Sequence, residues 1–167
     1  NLRLVIAGGA EAWMVAAELA KADVPVIVDV IQNLPGSFES LGSTLENAAR
    51  LQKAGVRVTF ATEDVGNPRN VKQLAGNAVS YGMDYDAALA GLTQVPASIY
   101  GMKGYGTLEV GMDADVVVWS GDPLEVTSYA DVVFIRGDKV PMTSRQTLLR
   151  DRYKDVGKQA LPPAYRH

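Results

Sequence analysis

Two acids stand side by side at Glu63 and Asp64, separated by one residue from the apolar run Val56 to Ala61, VRVTFA. Carboxylates in such a place can accept and return a proton or hold a divalent cation. The same loop carries Asn67 and Arg69, and an earlier one carries Asn33. These three can contact the polar groups of a substrate, with an ordinary loop role as the plain alternative. Glu11 and Asp29 stand near the ends of two other apolar runs. A glutamate there commonly answers a helix N-terminal dipole, and Asp29 can cap a turn or face solvent. The sole histidine, His167, is the last residue, and one imidazole cannot hold a catalytic ion. Cysteine is absent, so disulfides and thiolate metal sites are excluded while the compartment stays open. Gly8-Gly9 lacks the full glycine fingerprint of a phosphate cradle and reads as a tight turn.

Loops of this kind need elements to carry them. Leu2 to Ala7 (LRLVIA), Val24 to Val30 (VPVIVDV) and Val56 to Ala61 are short, nearly continuous apolar runs that suit buried parallel strands. A helix is predicted over Ala10 to Ala22, with Trp13, Ala16, Ala17 and Ala20 on its apolar side. Ile31 to Gly42 holds too many turn formers for a regular element and reads as a long loop. Ser43-Thr44-Leu45-Glu46 has capping-box spacing for a helix running to Ala54. Asn70 to Tyr81, with Val71, Leu74, Ala75 and Ala78 on one side, and Asp84 to Leu92 are two more helices. Three successive strand, loop and helix units imply a parallel sheet whose strand-end loops gather at one end. An open doubly wound sheet and a piece of a closed barrel both satisfy that pattern.

From Gly104 the pattern changes to short strands between Gly, Asp and Pro turns, at about 107 to 110, 115 to 119, 131 to 136 and 139 to 141. This sets three parts: an α/β part over 1 to 103, a small β part over 104 to 142, and a helix with tail over 143 to 167. Thr143-Ser144-Arg145-Gln146 offers a second capping box. In its helix, Leu148, Leu149 and Tyr153 are expected to lie against something apolar. Arg145, Arg150, Arg152 and Lys154 read as a solvated face balanced by Asp151 and Asp155. Asp113 and Asp115, placed around a turn before a strand, suit backbone capping. Trp13 and Trp119 read as core or interface residues.

Composition narrows the partners. The formal charge is -3 over 167 residues, which gives no basic field for nucleic acid. No apolar run reaches the roughly eighteen residues of a membrane-spanning helix. A hydrophobic share of 47% is ample for a core.

Against this background one stretch becomes specific. Gly106-Thr107-Leu108-Glu109, Gly111, and Asp113-Ala114-Asp115-Val116-Val117-Val118-Trp119 resemble the C-terminal signature of the amidohydrolase superfamily, closest to imidazolonepropionase-like and prolidase-like members. Leu89-x-x-Leu92-Thr93-x-x-Pro96-Ala97 is similar to the family helix before that signature, and Val132 to Val140 to its closing strand pair. The resemblance implies that residues 1 to 103 are the last three βα units of a TIM-like (β/α)8 barrel, and 104 to 142 part of a small β-sandwich.

A closed barrel takes around 250 residues. The chain is therefore expected to be the C-terminal portion of an amidohydrolase, inactive alone, which the N-terminal remainder or a complementary chain would complete; a homo-oligomer is a further expected arrangement. The resemblance also implies hydrolysis of a C–N bond in a cyclic amide or peptide by water activated on a divalent metal, zinc foremost. Aligned without a gap, Glu63 falls on the family's catalytic Asp, as base and metal ligand, with Asp64 next to it. The strand matching the sixth of the barrel has Gly8-Gly9 where a ligand histidine is expected. Two rival readings follow: a noncatalytic barrel kept for binding or assembly, and an independent α/β module for a small ligand.

Overall fold

In a computed structural model of the chain, residues 2 to 31, 33 to 62 and 70 to 154 are described. Strands β1 (Ile6–Ala7), β2 (Val26–Val28) and β3 (Val58–Phe60) form a parallel sheet in that order. The crossovers carry helices α1 (Ala16–Lys21) and α2 (Asn47–Lys53), and β3 is followed by α3 (Val71–Ser80), α4 (Tyr85–Leu92) and α5 (Gln94–Tyr100). Because the strands are parallel, the chain leaves β1, β2 and β3 at one end of the sheet.

The core lies between this sheet and its helices. Val26, Val28 and Val30 pack with Ala48 and Leu51 of α2 and with Leu74, Ala75 and Ala78 of α3, all of them buried. Helix α4 approaches β3 through Gly91, where a methyl group would stand 2.7 Å from the Phe60 ring and 2.9 Å from the Val58 carbonyl. The Thr59 hydroxyl donates to the Gly91 carbonyl at 2.7 Å, satisfying a polar group in that close approach. Asp84 caps α4 as expected, its carboxylate accepting the Ala87 N–H at 3.0 Å.

Several expectations are corrected here. Leu2 to Val5 do not form a buried strand: Leu2 is 92% exposed, and β1 starts only at Ile6 because its ladder to β2 runs from the Pro25 to the Ile27 carbonyl. The first helix splits into a 3-10 turn over Ala12–Val15 and α1, and buries Ala12 and Ala16 while Ala17 stays exposed. The Ser43–Glu46 capping box does not form. Helix α2 starts later, at Asn47, whose N–H bonds to the Thr44 carbonyl, and the Ser43 hydroxyl is buried without a partner.

Beyond α5, strands β4 (Val116–Trp119), β5 (Ala130–Ile135) and β6 (Asp138–Lys139) make an antiparallel sheet. No strand forms at 107 to 110. Gly104, Gly106 and Gly111 take left-handed conformations there, and the Asp113 N–H bonds to the Gly104 carbonyl, so this stretch is a closed turn and Leu108 is 82% exposed. Asp115 behaves as anticipated, accepting the Arg136 N–H at 2.7 Å. Asp113 accepts a hydrogen bond from the Tyr105 hydroxyl, which holds that phenol above its ordinary ionisation range, with the carboxylate's charge adding to the effect.

Helix α6 (Arg145–Tyr153) starts one residue later than the spacing suggested, because Thr147 rather than Gln146 closes the box with Ser144. None of its residues is buried, and Leu148, Leu149 and Tyr153 face outward instead of packing on an apolar neighbour. Arg150 and Lys154 pair with Asp151 on its surface, and the Arg150 hydrogen bond holds the Asp151 carboxyl below its usual range. Asp155 lies outside the described residues.

The segment 120 to 128 hooks the small sheet to the helices. Leu124 is buried in the main core, and a methyl group on Gly76 of α3 would come 2.7 Å from the Leu124 carbonyl. The Lys72 ammonium donates to the Glu125 and Ser128 carbonyls, each at 2.6 Å, and sits 5.2 Å from the Trp119 ring. Trp119 thus serves the interface role read from sequence.

The Tyr85 hydroxyl donates to Asp122 at 2.8 Å, and Asp122 also accepts the Leu124 N–H. Losing the phenol proton would forfeit that bond, so Tyr85 ionises above the ordinary tyrosine range; burial and the charges of Asp122 and Asp86 push the same way. A pKa raised on folding contributes stability that is present below the unfolded value of about 10 and is lost as pH rises through the folded value. We expect the Tyr85 ring resonances to titrate later than free tyrosine and to move back toward it in Asp122→Ala. Identical titration midpoints for the two proteins would contradict the assignment.

Candidate active site

The ends of the three parallel strands enclose a cavity of about 290 Å³ lined by Ala7, Gly8, Ile27, Val28, Asp29, Ala61 and Thr62. Gly8 and Gly9 turn the chain at the end of β1 with φ of 89° and 58°, the left-handed conformations that glycine takes without strain. That supports the tight-turn reading. Gly8 borders the cavity, and a methyl group added to it would meet no atom within 4 Å. Asp29 accepts the Ile31 N–H at 3.1 Å and so closes a turn at the rim.

The long loop after β2 follows, with a 3-10 turn over Phe38–Ser40 capped by Ser37. Ser37 and a backbone N–H hydrogen-bond to the Glu39 carboxyl and hold it below its ordinary range. Asn33, one of the proposed substrate contacts, is only 1% exposed, and its Nδ2 has no partner. It is a buried donor at the start of the rim loop. Glu63, Asp64, Asn67 and Arg69 lie outside the described residues, as does His167. The described residues do not by themselves fit a metal ion: they contain no group of three or more His, Asp or Glu, and among them Asp29 is the single carboxylate lining the cavity.

Sequence reasoning missed a set of contacts beside the cavity. The Glu11 carboxylate does not simply face its helix dipole; Oε1 accepts the Gly42 N–H at 2.6 Å. Trp13 donates its indole N–H to the Gly42 carbonyl at 2.8 Å. Asn47, fully buried, accepts the Trp13 backbone N–H at 3.1 Å and donates to the Gly9 carbonyl at 3.0 Å. Arg50 lies 4.3 Å over the Trp13 ring and is itself fixed by Glu46 at 2.8 Å. The one available signal was Asn47, a polar residue among the buried Ala48, Ala49 and Leu51 of α2.

The amidohydrolase family model matches residues 4 to 143, which takes in both sheets and the cavity. The chain belongs to the amidohydrolase family. Among its curated relatives, the amidohydrolase tasK of Hapsidospora irregularis is 33% identical over 104 residues, which is 61% of this chain and 11% of the relative. An imidazolonepropionase of Maricaulis maris is 34% identical over 103 residues, covering 58% of this chain and 26% of that enzyme.

The solved amidohydrolase from Thermotoga maritima superposes with a TM-score of 0.73 at 34% identity, covering 83% of this amidohydrolase chain and 37% of its own. An atrazine chlorohydrolase from Arthrobacter aurescens, solved with zinc and atraton, shares the fold at 19% identity and a TM-score of 0.62, with coverage of 89% and 40%. The chain thus spans between about a tenth and two fifths of the length of these relatives. The likeness to imidazolonepropionase read from the signature is borne out, and with it a fold of the TIM-barrel type.

Proposed function

We propose that this chain is the closing portion of an amidohydrolase, the last three βα units of a (β/α)8 barrel with part of a β-sandwich, and that its complete form hydrolyses a C–N bond in a cyclic amide or peptide. The observation that carries this reading is the cavity at the shared C-terminal end of three parallel strands, where barrels keep their chemistry, in a chain of this family. Glu63, two residues beyond Ala61, is the proposed base, with Asp64 beside it. The base takes a proton from the water that attacks the amide carbonyl and returns it to the departing nitrogen as the C–N bond breaks. Asn67 and Arg69 bind the polar groups of the amide, and Asn33, read from sequence as a third contact, is buried and holds the start of the rim loop. A divalent ion, zinc by analogy with the chlorohydrolase, would supply Lewis acidity in the complete protein, and Glu63 would be the ligand this chain contributes.

The partner is the remainder of the barrel, carried on the same polypeptide or a complementary one. It covers the open edge at β1, where Leu2 and Leu4 stand in solvent. Mixed with such a complement, the chain should form a one-to-one complex by native mass spectrometry, bind about one or two equivalents of divalent metal, and lose amide hydrolysis on chelation. A stable monomer that ignores the complement would refute the partner.

A second reading rests on Gly8-Gly9, which gives the end of β1 no side chain that could coordinate or transfer protons. In that case the assembled barrel binds or scaffolds without catalysis. A complex that forms yet neither takes up metal nor cleaves any amide selects it over the enzyme.

A further inference from the structure

Resting on the reading of this cavity as a hydrolytic site, we propose that Glu11, Trp13 and Asn47 are positioning residues that clasp the 31 to 42 loop over the strand ends, and that Glu11 carries no proton in the reaction. Gly42 at the end of the loop after β2 and Asn47 at the start of α2 are tied to the segment after β1 by four hydrogen bonds, two each, between residues at least 29 apart in sequence. Gly42 is held on both sides of its backbone, its N–H by Glu11 and its carbonyl by Trp13. A side chain here would force its neighbours to move, because a methyl group would overlap the terminal methyl of Met14 and meet the Glu11 Oε1 at 3.0 Å.

Asn47 closes the clasp from below by tying Trp13 to the Gly9 carbonyl, one residue from the cavity-lining Gly8. Both ends of the rim loop are thereby placed: Gly42 by the clasp and Asn33 by burial at the other end. Catalysis is steeply sensitive to such placement, since small displacements of groups around the substrate cost large factors in rate. Glu11 also looks like a strand-end acid available for chemistry. One of its two oxygens is instead spent on a 2.6 Å bond to backbone, a contact an amide oxygen can reproduce.

The test compares Glu11→Gln and Glu11→Ala in the assembled protein, by pH–rate profile and by hydrogen exchange at the Gly42 amide. Glutamine keeps the acceptor, so kcat, KM and both limbs of the profile should stay within about threefold of wild type. Alanine should raise KM about tenfold at nearly constant kcat and speed Gly42 exchange by about tenfold. Trp13→Phe, which keeps the ring and loses its N–H, should move KM in the same direction. Loss of one limb and of activity by more than about a hundredfold in Glu11→Gln would make Glu11 an acid or base and overturn the proposal. Unchanged Gly42 exchange in Glu11→Ala would overturn the clasp itself, whether or not any amide is cleaved. Absence of hydrolysis by the wild-type assembly would instead remove the reading on which the role rests.

Discussion

Glu63→Gln should lower kcat/KM for amide hydrolysis by the assembled protein about 10²- to 10⁴-fold, the range over which a positioned general base acts. Strand β3 ends at Phe60, Ala61 and Thr62 line the cavity, and Glu63 is the next residue in the chain. A glutamine there keeps size and hydrogen bonding and removes the ability to take a proton. Asp64→Asn should cost less, because the gapless register places Glu63 on the functional position. The ranking is the informative part. A large loss in Asp64→Asn with a small one in Glu63→Gln would shift the register by one residue. Equal activity in both variants and wild type would leave the pair as solvated loop acids and place the proton transfer on other residues.

For stability, the largest single loss is expected from Leu74→Ala, about 2–5 kcal/mol by chemical unfolding. Leu74 is fully buried on α3, in one contiguous core with the valines of β2 and with Leu124 of the hook. Truncation removes apolar contacts and leaves a cavity that rigid strands on one side and α3 on the other cannot collapse into. Small domains are stable by only about 5–15 kcal/mol, so the loss is a large share of the whole. Leu148→Ala on α6 is the control, expected within about 0.5 kcal/mol because that side chain lies in solvent. Equal effects at the two sites would mean that α6 is packed in solution and that its outward face is covered.

The clearest signals in the sequence were local ones. Continuous apolar runs placed β2 and β3 because those strands are buried on both faces, periodicity placed α3 and α4 because each buries one side, and Asp84 marked its helix because a cap is a bond over three residues. Where the expected bond was equally local but a distant group competed, the reading failed. Around Ser43 to Asn47 the chain shows capping-box spacing, yet Asn47 is drawn to Trp13 and Gly9 and α2 begins a turn later. At 107 to 110 the alternation suits a strand, but a strand needs a partner ladder, and the surrounding left-handed glycines fold that stretch into a turn.

By itself, then, the order of residues determined the family and the parallel arrangement of three βα units, because motifs and periodicities are written within short windows. Only the tertiary structure decided what Glu11 does, how far the edge strand extends and which way α6 faces. Those outcomes depend on groups brought together from positions far apart in the chain, such as Glu11 with Gly42, and on whether a neighbouring surface is there to cover an apolar face.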